Sequence, residues 1–170
     1  MSAVLERWNL LPLETAANEI LPCCGSRAWA DALAGRRPLP DEETLLSVSD
    51  DIWGGLGEQD WQEAFRSHPR IGESKTPKEA SRESAAWSGE EQRRVAEAGD
   101  DARLALAEAN REYERRFGRI FIVCATDKSP EEILMMLRRR LQNDPVAELR
   151  EAGEQQREIT QLRLRKWLRA

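Results

Sequence analysis

The sequence has a single histidine, His68, and only three cysteines in 170 residues. It contains no Cys-x-x-Cys spacing, so the side chains that hold zinc are too few for such a site. An odd number of cysteines, two of them adjacent, favours a reduced compartment over a disulfide framework. We therefore expect a cytoplasmic protein without a metal, and the role of the cysteines stays open: Cys23, Cys24 and Cys124.

Long apolar runs and a basic excess are also missing. The longest apolar run, residues 120–125, is too short to cross a bilayer, and no signal-peptide pattern opens the chain. The net charge of −5 argues against nucleic acid, because phosphate binding needs a positive surface. The arginine run 138–140 is offset by acidic neighbours and is typical of a solvated helix face. We expect neither a membrane nor a nucleic acid as partner.

What the sequence does contain is helical periodicity along most of its length. A hydrophobic content of 40% and a charged content of 34% are typical of a globular protein, and residues 1–170 fit one domain. Apolar residues recur at three- and four-residue steps between start and stop signals. The predicted helices are 12–22, 26–34, 41–54, 58–67, 89–98, 101–117, one from 130, and one from 145 to about 168. The fold class is all-α in one compact domain; residues 120–125 form either a short extended segment or a buried helical turn.

His68 stands where one of these helices ends. Phe65 lies three residues before it and Trp61 lies seven, which is helical spacing, so His68 is expected on the buried side. Pro69 ends the helix because proline disfavours the α conformation of the residue before it. A lone imidazole on an apolar face is either a core residue or an isolated acid–base group, and the spacing leaves both open.

Other polar residues stand at positions where apolar ones are expected. Ser88 and Glu91 have the spacing of a capping box, or else Glu91 and Gln92 belong to a site. Arg163 follows Ile159 by four residues along an apolar stripe. Its guanidinium either extends to solvent or lies against a buried site, where it can grip a carboxylate through two hydrogen bonds.

Two segments outside the helices also qualify as parts of a site. Residues 72–86 are small and polar, which is typical of a lid or a mobile connection. The buried run 120–125 can offer backbone N–H and C=O groups to a heterocyclic ligand, although any buried strand can do so.

With these residues in view, the chain resembles the 2-oxo-4-hydroxy-4-carboxy-5-ureidoimidazoline (OHCU) decarboxylases of urate degradation. The resemblance covers nearly the whole chain, and each of four stretches contains a residue singled out above. These stretches are Trp61-Gln62-Glu63-Ala64-Phe65-Arg66-Ser67-His68-Pro69-Arg70-Ile71-Gly72, Ser88-x-x-Glu91-Gln92, Phe117-Gly118-x-x-Phe121-Ile122-x-x-Ala125 and Glu158-Ile159-x-x-Leu162-Arg163-Leu164.

The resemblance implies an all-helical fold, no cofactor, and conversion of OHCU to (S)-allantoin with loss of CO2. It implies that His68 and Glu91 are the catalytic acid–base pair. The substrate-binding residues implied in the same way, with Pro69 added as the neighbour of the histidine, are Pro69, Ser88, Gln92, Phe121, Ile122 and Arg163.

The resemblance leaves some points open. Many members have an acidic residue after His-Pro, where this chain has Arg70, so the orientation of the imidazole is undetermined. Which of His68 and Glu91 protonates carbon is equally undetermined. We expect the chain to form a homodimer. We also expect a functional link to a uricase-type oxidase and a hydroxyisourate hydrolase. Two alternatives remain from the pattern: a non-catalytic helical interaction module, and a cofactor-free lyase acting on a related ureido acid.

Overall fold

The computed structural model describes residues 2–73 and 80–170, which form ten α-helices and no strand. The all-α prediction is confirmed. The helices are α1 (Ala3–Asn9), α2 (Leu13–Ile20), α3 (Arg27–Ala34), α4 (Glu42–Gly55), α5 (Glu58–Arg66), α6 (Arg82–Glu91), α7 (Arg93–Ala96), α8 (Asp100–Phe117), α9 (Pro130–Arg140) and α10 (Pro145–Leu168), and a 3₁₀ turn, Leu21–Cys23, follows α2.

The described residues fall into two compact units. The first contains the chain up to Ala64 together with Arg157–Ala170, and the second is Phe65–Gln156. The boundaries lie inside α5 and inside α10. The single domain over residues 1–170 stays a prediction. Among the described residues, no helix has both the length and the apolar character needed to cross a membrane.

Several tryptophans are packed in the first unit. Trp29 has no exposed surface. The rings of Trp8 and Trp167 meet edge to face with their centroids 5.6 Å apart, while Trp53 and Trp61 stack at 5.2 Å. Such aromatic pairs add to the apolar area that folding removes from water. These tryptophans therefore serve packing.

A hydrophobic core in the second unit is formed by α7, α8, α9 and the segments that connect the helices. Tyr113 is at its centre, with ring centroids 4.8 Å from Phe117 and 5.2 Å from Phe121. The buried members of the core are Ile71, Val95, Leu106, Ala109, Tyr113, Phe121, Val123, Ala125, Ile133, Leu137 and Leu141.

Several helix boundaries follow the local signals of the sequence. Ser129 and Glu132 form a reciprocal capping box at the start of α9, with Pro130 in the first helical turn. Asp41 caps α4 by accepting a hydrogen bond from the Thr44 N–H. α8 ends at Gly118, whose φ of +71° is a left-handed conformation that glycine adopts without strain.

The prediction for residues 72–98 is wrong in two ways. A helix begins at Arg82 rather than at 89, and its cap is Ser81, whose Oγ accepts a hydrogen bond from the Ser84 N–H. Ser88 therefore lies inside α6, so of the two alternatives for Ser88 and Glu91 the capping box is excluded. Charged residues and two adjacent alanines give this segment good helix propensity despite its polarity. The rest of the expected lid includes residues 74–79, which lie outside the described residues. The prediction also omits α1, which Ser2 caps.

Candidate active site

His68 lies just beyond the end of α5. Its backbone N–H donates to the Phe65 carbonyl oxygen at 3.2 Å, which closes one last turn before Pro69. The histidine is only 8% exposed, and Phe65 is 1% exposed. The predicted burial of this imidazole is confirmed.

The imidazole has a polar partner that the sequence analysis does not identify. The His68 Nε2 atom lies 2.6 Å from the amide oxygen Oε1 of Gln156, which is in α10 and has no exposed surface. Gln156 precedes Ile159 by three residues, so its place on an apolar stripe is a signal in the sequence. A glutamine on a helix rich in polar residues is nevertheless difficult to distinguish from a solvated one.

Arg70, the residue after His68-Pro69, binds a different helix. Its Nε donates to Oε1 of Glu114 in α8 at 2.6 Å. This hydrogen bond raises the pKa of the Arg70 guanidinium above its usual value. The residue after His-Pro is thus bound to α8. The side chain that contacts the His68 ring is Gln156.

The end of α6 supplies three of the predicted residues. Ser88 is buried, and Glu91 and Gln92 are half-buried. The Oε1 atom of Gln92 accepts a hydrogen bond from the Gly72 N–H at 3.2 Å, which connects the end of α6 to the chain four residues after His68. Gly72 has a φ of +86°, so a larger residue there would be strained.

Three segments that carry predicted residues meet in the core of the second unit. Ile71 follows the His68 turn, Val95 follows Gln92, and Phe121 is itself a predicted residue. All three belong to the same hydrophobic cluster. Packing of this core therefore limits how far the segments can move relative to one another.

Residues 121–125 are buried, Ile120 is half-buried, and the whole segment 120–125 belongs to no helix or strand. Arg140 Nη1 donates to the Ile122 carbonyl oxygen at 2.6 Å, and the Arg140 guanidinium lies 4.4 Å from the centre of the Phe121 ring. The Cys124 N–H donates to Oε1 of Gln155 at 2.9 Å. Side chains of α9 and α10 thus replace the backbone partners that a sheet would supply.

The expected solvated arginine run is wrong for Arg140, which has no exposed surface. Its Nη2 lies 2.5 Å from Oε1 of Glu148, which is also fully buried. The hydroxyl of Tyr113 donates to the same carboxylate oxygen at 2.5 Å. Burial, followed by this hydrogen bond, raises the pKa of Tyr113. Local sequence patterns do not predict this network, because Tyr113, Arg140 and Glu148 lie on three different helices.

Arg163 belongs to the first unit and is fully buried, so a guanidinium extending to solvent is excluded. Its Nη1 donates to the Pro22 carbonyl oxygen at 3.2 Å.

An open surface groove of about 350 Å³ lies away from the predicted residues. Its lining is largely charged and comes from α8 and α9: Ala105, Glu108, Ala109, Arg111, Glu112, Arg115 and Arg138. We assign the groove no part in the candidate site. Within the described ranges, no three His, Cys, Asp or Glu side chains are grouped so that they could share a metal ion.

The sequence matches the family described as OHCU decarboxylase over residues 9–165, and the chain belongs to that family. It is 33% identical over 156 residues to the uric acid degradation bifunctional protein TTL of Arabidopsis thaliana, covering 92% of this chain and 48% of that protein. It is 44% identical over 68 residues to the 2-oxo-4-hydroxy-4-carboxy-5-ureidoimidazoline decarboxylase of Amia calva, covering 40% of this chain and 38% of that protein. The chain thus spans about half or less of the length of these curated relatives.

Two solved structures have a similar fold. A crystal structure of OHCU decarboxylase in the presence of (S)-allantoin superposes with a TM-score of 0.76 at 34% identity, covering 90% of this chain and 99% of that one. A crystal structure of (S)-allantoin synthase superposes with a TM-score of 0.72 over 96% of this chain and 53% of that one. At 17% identity, the second structure is similar in fold alone.

Proposed function

We propose that the chain converts OHCU to (S)-allantoin and CO2 without a cofactor. The observation that carries the proposal is a buried, single imidazole with a buried hydrogen-bond partner, in a chain that matches the OHCU decarboxylase family along nearly its whole length. The structural relative crystallised in the presence of (S)-allantoin supports the same product.

The substrate contains its own electron acceptor. When the C–C bond to the carboxylate breaks, the adjacent ring C=N accepts the electron pair and an enolate-like intermediate forms. The ring hydroxyl then loses its proton, and a proton adds to the ring carbon on one face, which sets the chirality of the product. No pyridoxal or thiamine group is needed to accept electrons. The protein must supply positioning, a hydrogen-bonding partner for the developing charge, and a proton carrier.

His68 and Glu91 act as the acid–base pair in this proposal. An imidazole titrates near neutral pH, so His68 can take the hydroxyl proton and return it. Glu91, half-buried at the end of α6, steers this proton transfer. Pro69 then forms part of the wall of the site.

The remaining predicted residues bind the substrate. Ser88 and Gln92 share α6 and its end with Glu91, and the Gln92–Gly72 hydrogen bond supports a position close to the His68 turn. The backbone at Phe121 and Ile122 offers hydrogen bonds to the ring, supported by the side chains that hold this segment. We assign Arg163 to an anionic group of the substrate from the family resemblance alone.

The test is circular dichroism on OHCU made freshly from urate with a uricase and a hydroxyisourate hydrolase. We expect rapid formation of the optical signal of (S)-allantoin. General acid–base help is typically worth about 10²- to 10⁴-fold, so His68→Asn should slow the reaction by at least that order. A near-normal rate in His68→Asn contradicts the assigned role of the histidine. Slow, racemic decay with the wild-type chain contradicts the proposed activity and favours an interaction module.

We also propose that the chain forms a homodimer in a reduced, cytoplasmic compartment and acts after an oxidase and a hydrolase of urate breakdown. The odd number of cysteines supports the compartment. The urate-degradation relative supports the place in the sequence of reactions. Light scattering on the purified chain tests the dimer, since one chain has a mass of 19.4 kDa. A mass near that value contradicts it.

A further inference from the structure

The contact with Gln156 shows which ring nitrogen of His68 faces the interior of the protein. Nε2 is 2.6 Å from the amide oxygen, which is short for a hydrogen bond between nitrogen and oxygen. Both residues lie in the second unit, the histidine is 8% exposed, and the glutamine has no exposed surface. Water therefore competes little for this hydrogen bond.

Both partners are attached to well-defined backbone. His68 follows the last turn of α5 and precedes a proline, which restricts its main chain. Gln156 lies in the interior of α10, a helix of 24 residues, where every neighbouring turn supports its Cα position. A buried amide or imidazole without a partner costs free energy, so the pair is expected to persist.

The hydrogen bond selects one tautomer of the ring. A neutral imidazole has one donor and one acceptor nitrogen, and an amide oxygen can only accept. If Oε1 of Gln156 faces the ring, Nε2 must carry the proton and Nδ1 must carry the lone pair. The same Nε2–H can stay bound to Gln156 when Nδ1 gains a proton and when it loses it.

The Gln156 amide is also neutral, and in this it differs from a carboxylate. A carboxylate beside the ring stabilises imidazolium and raises the histidine pKa, which holds the ring in its charged form to higher pH. An amide orients the ring with a much smaller electrostatic effect. Arg70, in the position where an acidic neighbour is often found, is engaged with Glu114.

We propose that Gln156 is a positioning residue that accepts a hydrogen bond from the Nε2–H of His68 and so directs the Nδ1 lone pair toward the proton that the reaction moves. The inference rests on the proposed function of His68 as the acid–base group. Gln155, which precedes Gln156, accepts a hydrogen bond from the Cys124 N–H. One turn of α10 therefore holds both the histidine and the buried segment 120–125.

The single histidine makes the tautomer directly measurable. In protein labelled with ¹⁵N-histidine, the two ring nitrogens give one pair of NMR signals, and their shifts distinguish the tautomers. At a pH high enough for the ring to be neutral, we expect the wild-type ring to be protonated at Nε2. In Gln156→Leu we expect that preference to weaken and kcat to fall by about 10²-fold, the scale of a misplaced catalytic group. Gln156→Glu should move the acidic limb of the pH–rate profile upward by about one pH unit or more.

Gln142→Glu is the matched control, since Gln142 is exposed and its backbone N–H is bound to Arg139 at the end of α9. It should leave the histidine signals and the pH–rate profile unchanged. A wild-type ring protonated at Nδ1, or an unchanged tautomer and kcat in Gln156→Leu, overturns the proposal. If Gln156→Leu does not fold, the wild-type spectrum and Gln156→Glu still decide. An inactive wild-type chain would contradict the proposed function, whereas an active one with these unchanged signals contradicts only the role of Gln156.

Discussion

Arg140 and Glu148 form an ion pair in which neither side chain has exposed surface, with Nη2 and Oε1 2.5 Å apart. The carboxylate also accepts from Tyr113 and from the Asn143 side-chain amide. Arg140 uses its remaining terminal nitrogen on the Ile122 carbonyl oxygen. A buried pair offsets its desolvation cost only when such additional hydrogen bonds exist. The result is a fixed backbone at a segment that we propose binds substrate.

Removal of one partner should be far more harmful than removal of both. Arg140→Met leaves the Glu148 carboxylate buried without its cation, and we expect a loss of about 3–5 kcal/mol in the free energy of unfolding. Arg140→Met combined with Glu148→Leu replaces the pair by apolar volume and should recover most of that loss. Urea denaturation of the three proteins measures both effects. Equal losses in the single and double variants would contradict this account.

The neighbouring pair of Arg139 and Glu151 provides the exposed counterpart. The hydrogen bond that Glu151 accepts from Arg139 is the main reason that the pKa of Glu151 is lowered to about 2. A carboxyl pKa lower in the folded than in the unfolded state stabilises above the unfolded value and loses that effect as pH falls toward the folded one. The Glu151 side chain is 36% exposed, so screening limits the contribution to about 1 kcal/mol or less. Glu151→Gln should cost that amount at pH 7, with the difference disappearing between about pH 4.5 and 2; a constant difference would contradict it.

Local rules predict many of the helices because each depends on neighbours in the chain. Ser129, Asp41 and Gly118 act on backbone groups within a few residues, so their effect is legible without the fold. The burial of His68 is similarly predictable, because α5 has a clear apolar stripe. Local rules do not predict the start of α6. Its polar composition is typical of a loop, whereas its alanines favour a helix.

The contacts of the site depend on packing between distant segments. The separation in sequence is 88 residues between His68 and Gln156, and 18 between Arg140 and Ile122. Gln156 and Arg140 are of the same residue types as the many polar residues that α10 and α9 expose to solvent. Nothing local marks Arg140 as buried among three consecutive arginines, so its role follows only from the fold.

Ser81 should prove to be the cap of α6. Ser81→Ala removes the acceptor for the Ser84 N–H and should lower the free energy of unfolding by about 1 kcal/mol. Ser81→Asp keeps a capping oxygen and places a negative charge at the helix start, so it should retain the wild-type stability. Thermal unfolding of both variants checks this. Equal losses in the alanine and aspartate variants would show that the hydroxyl has no capping role.

Burial should keep the cysteines unreactive in the native protein. Cys24 has no exposed surface, and burial is the main cause that raises its pKa to about 12. With Ellman's reagent at pH 8, we expect slow labelling of the native protein and three thiols after denaturation. Since the unfolded thiol titrates near 9, this group also loses its stabilising effect as pH rises from about 9 toward 12. Rapid native labelling of Cys24 would contradict the burial.

Arg163 should need its guanidinium and not only its charge. Arg163→Lys keeps the cation but loses the planar pair of donors that matches a carboxylate or ureido group. Hydrogen bonds to charged groups contribute about 1.5–3 kcal/mol, so kcat/KM on OHCU should fall by about 10- to 100-fold, mainly through KM.

Arg157→Lys is the matched control for this variant. Arg157 lies on the same helix, its side chain is 31% exposed, and its Nη1 is 3.0 Å from Oδ2 of Asp50. Arg157→Lys should change kcat/KM little, because Arg157 binds the half-buried carboxylate of Asp50. Chemical denaturation of both lysine variants separates a loss of substrate binding from a loss of folding. A wild-type KM in a folded Arg163→Lys protein would remove Arg163 from the substrate-binding residues.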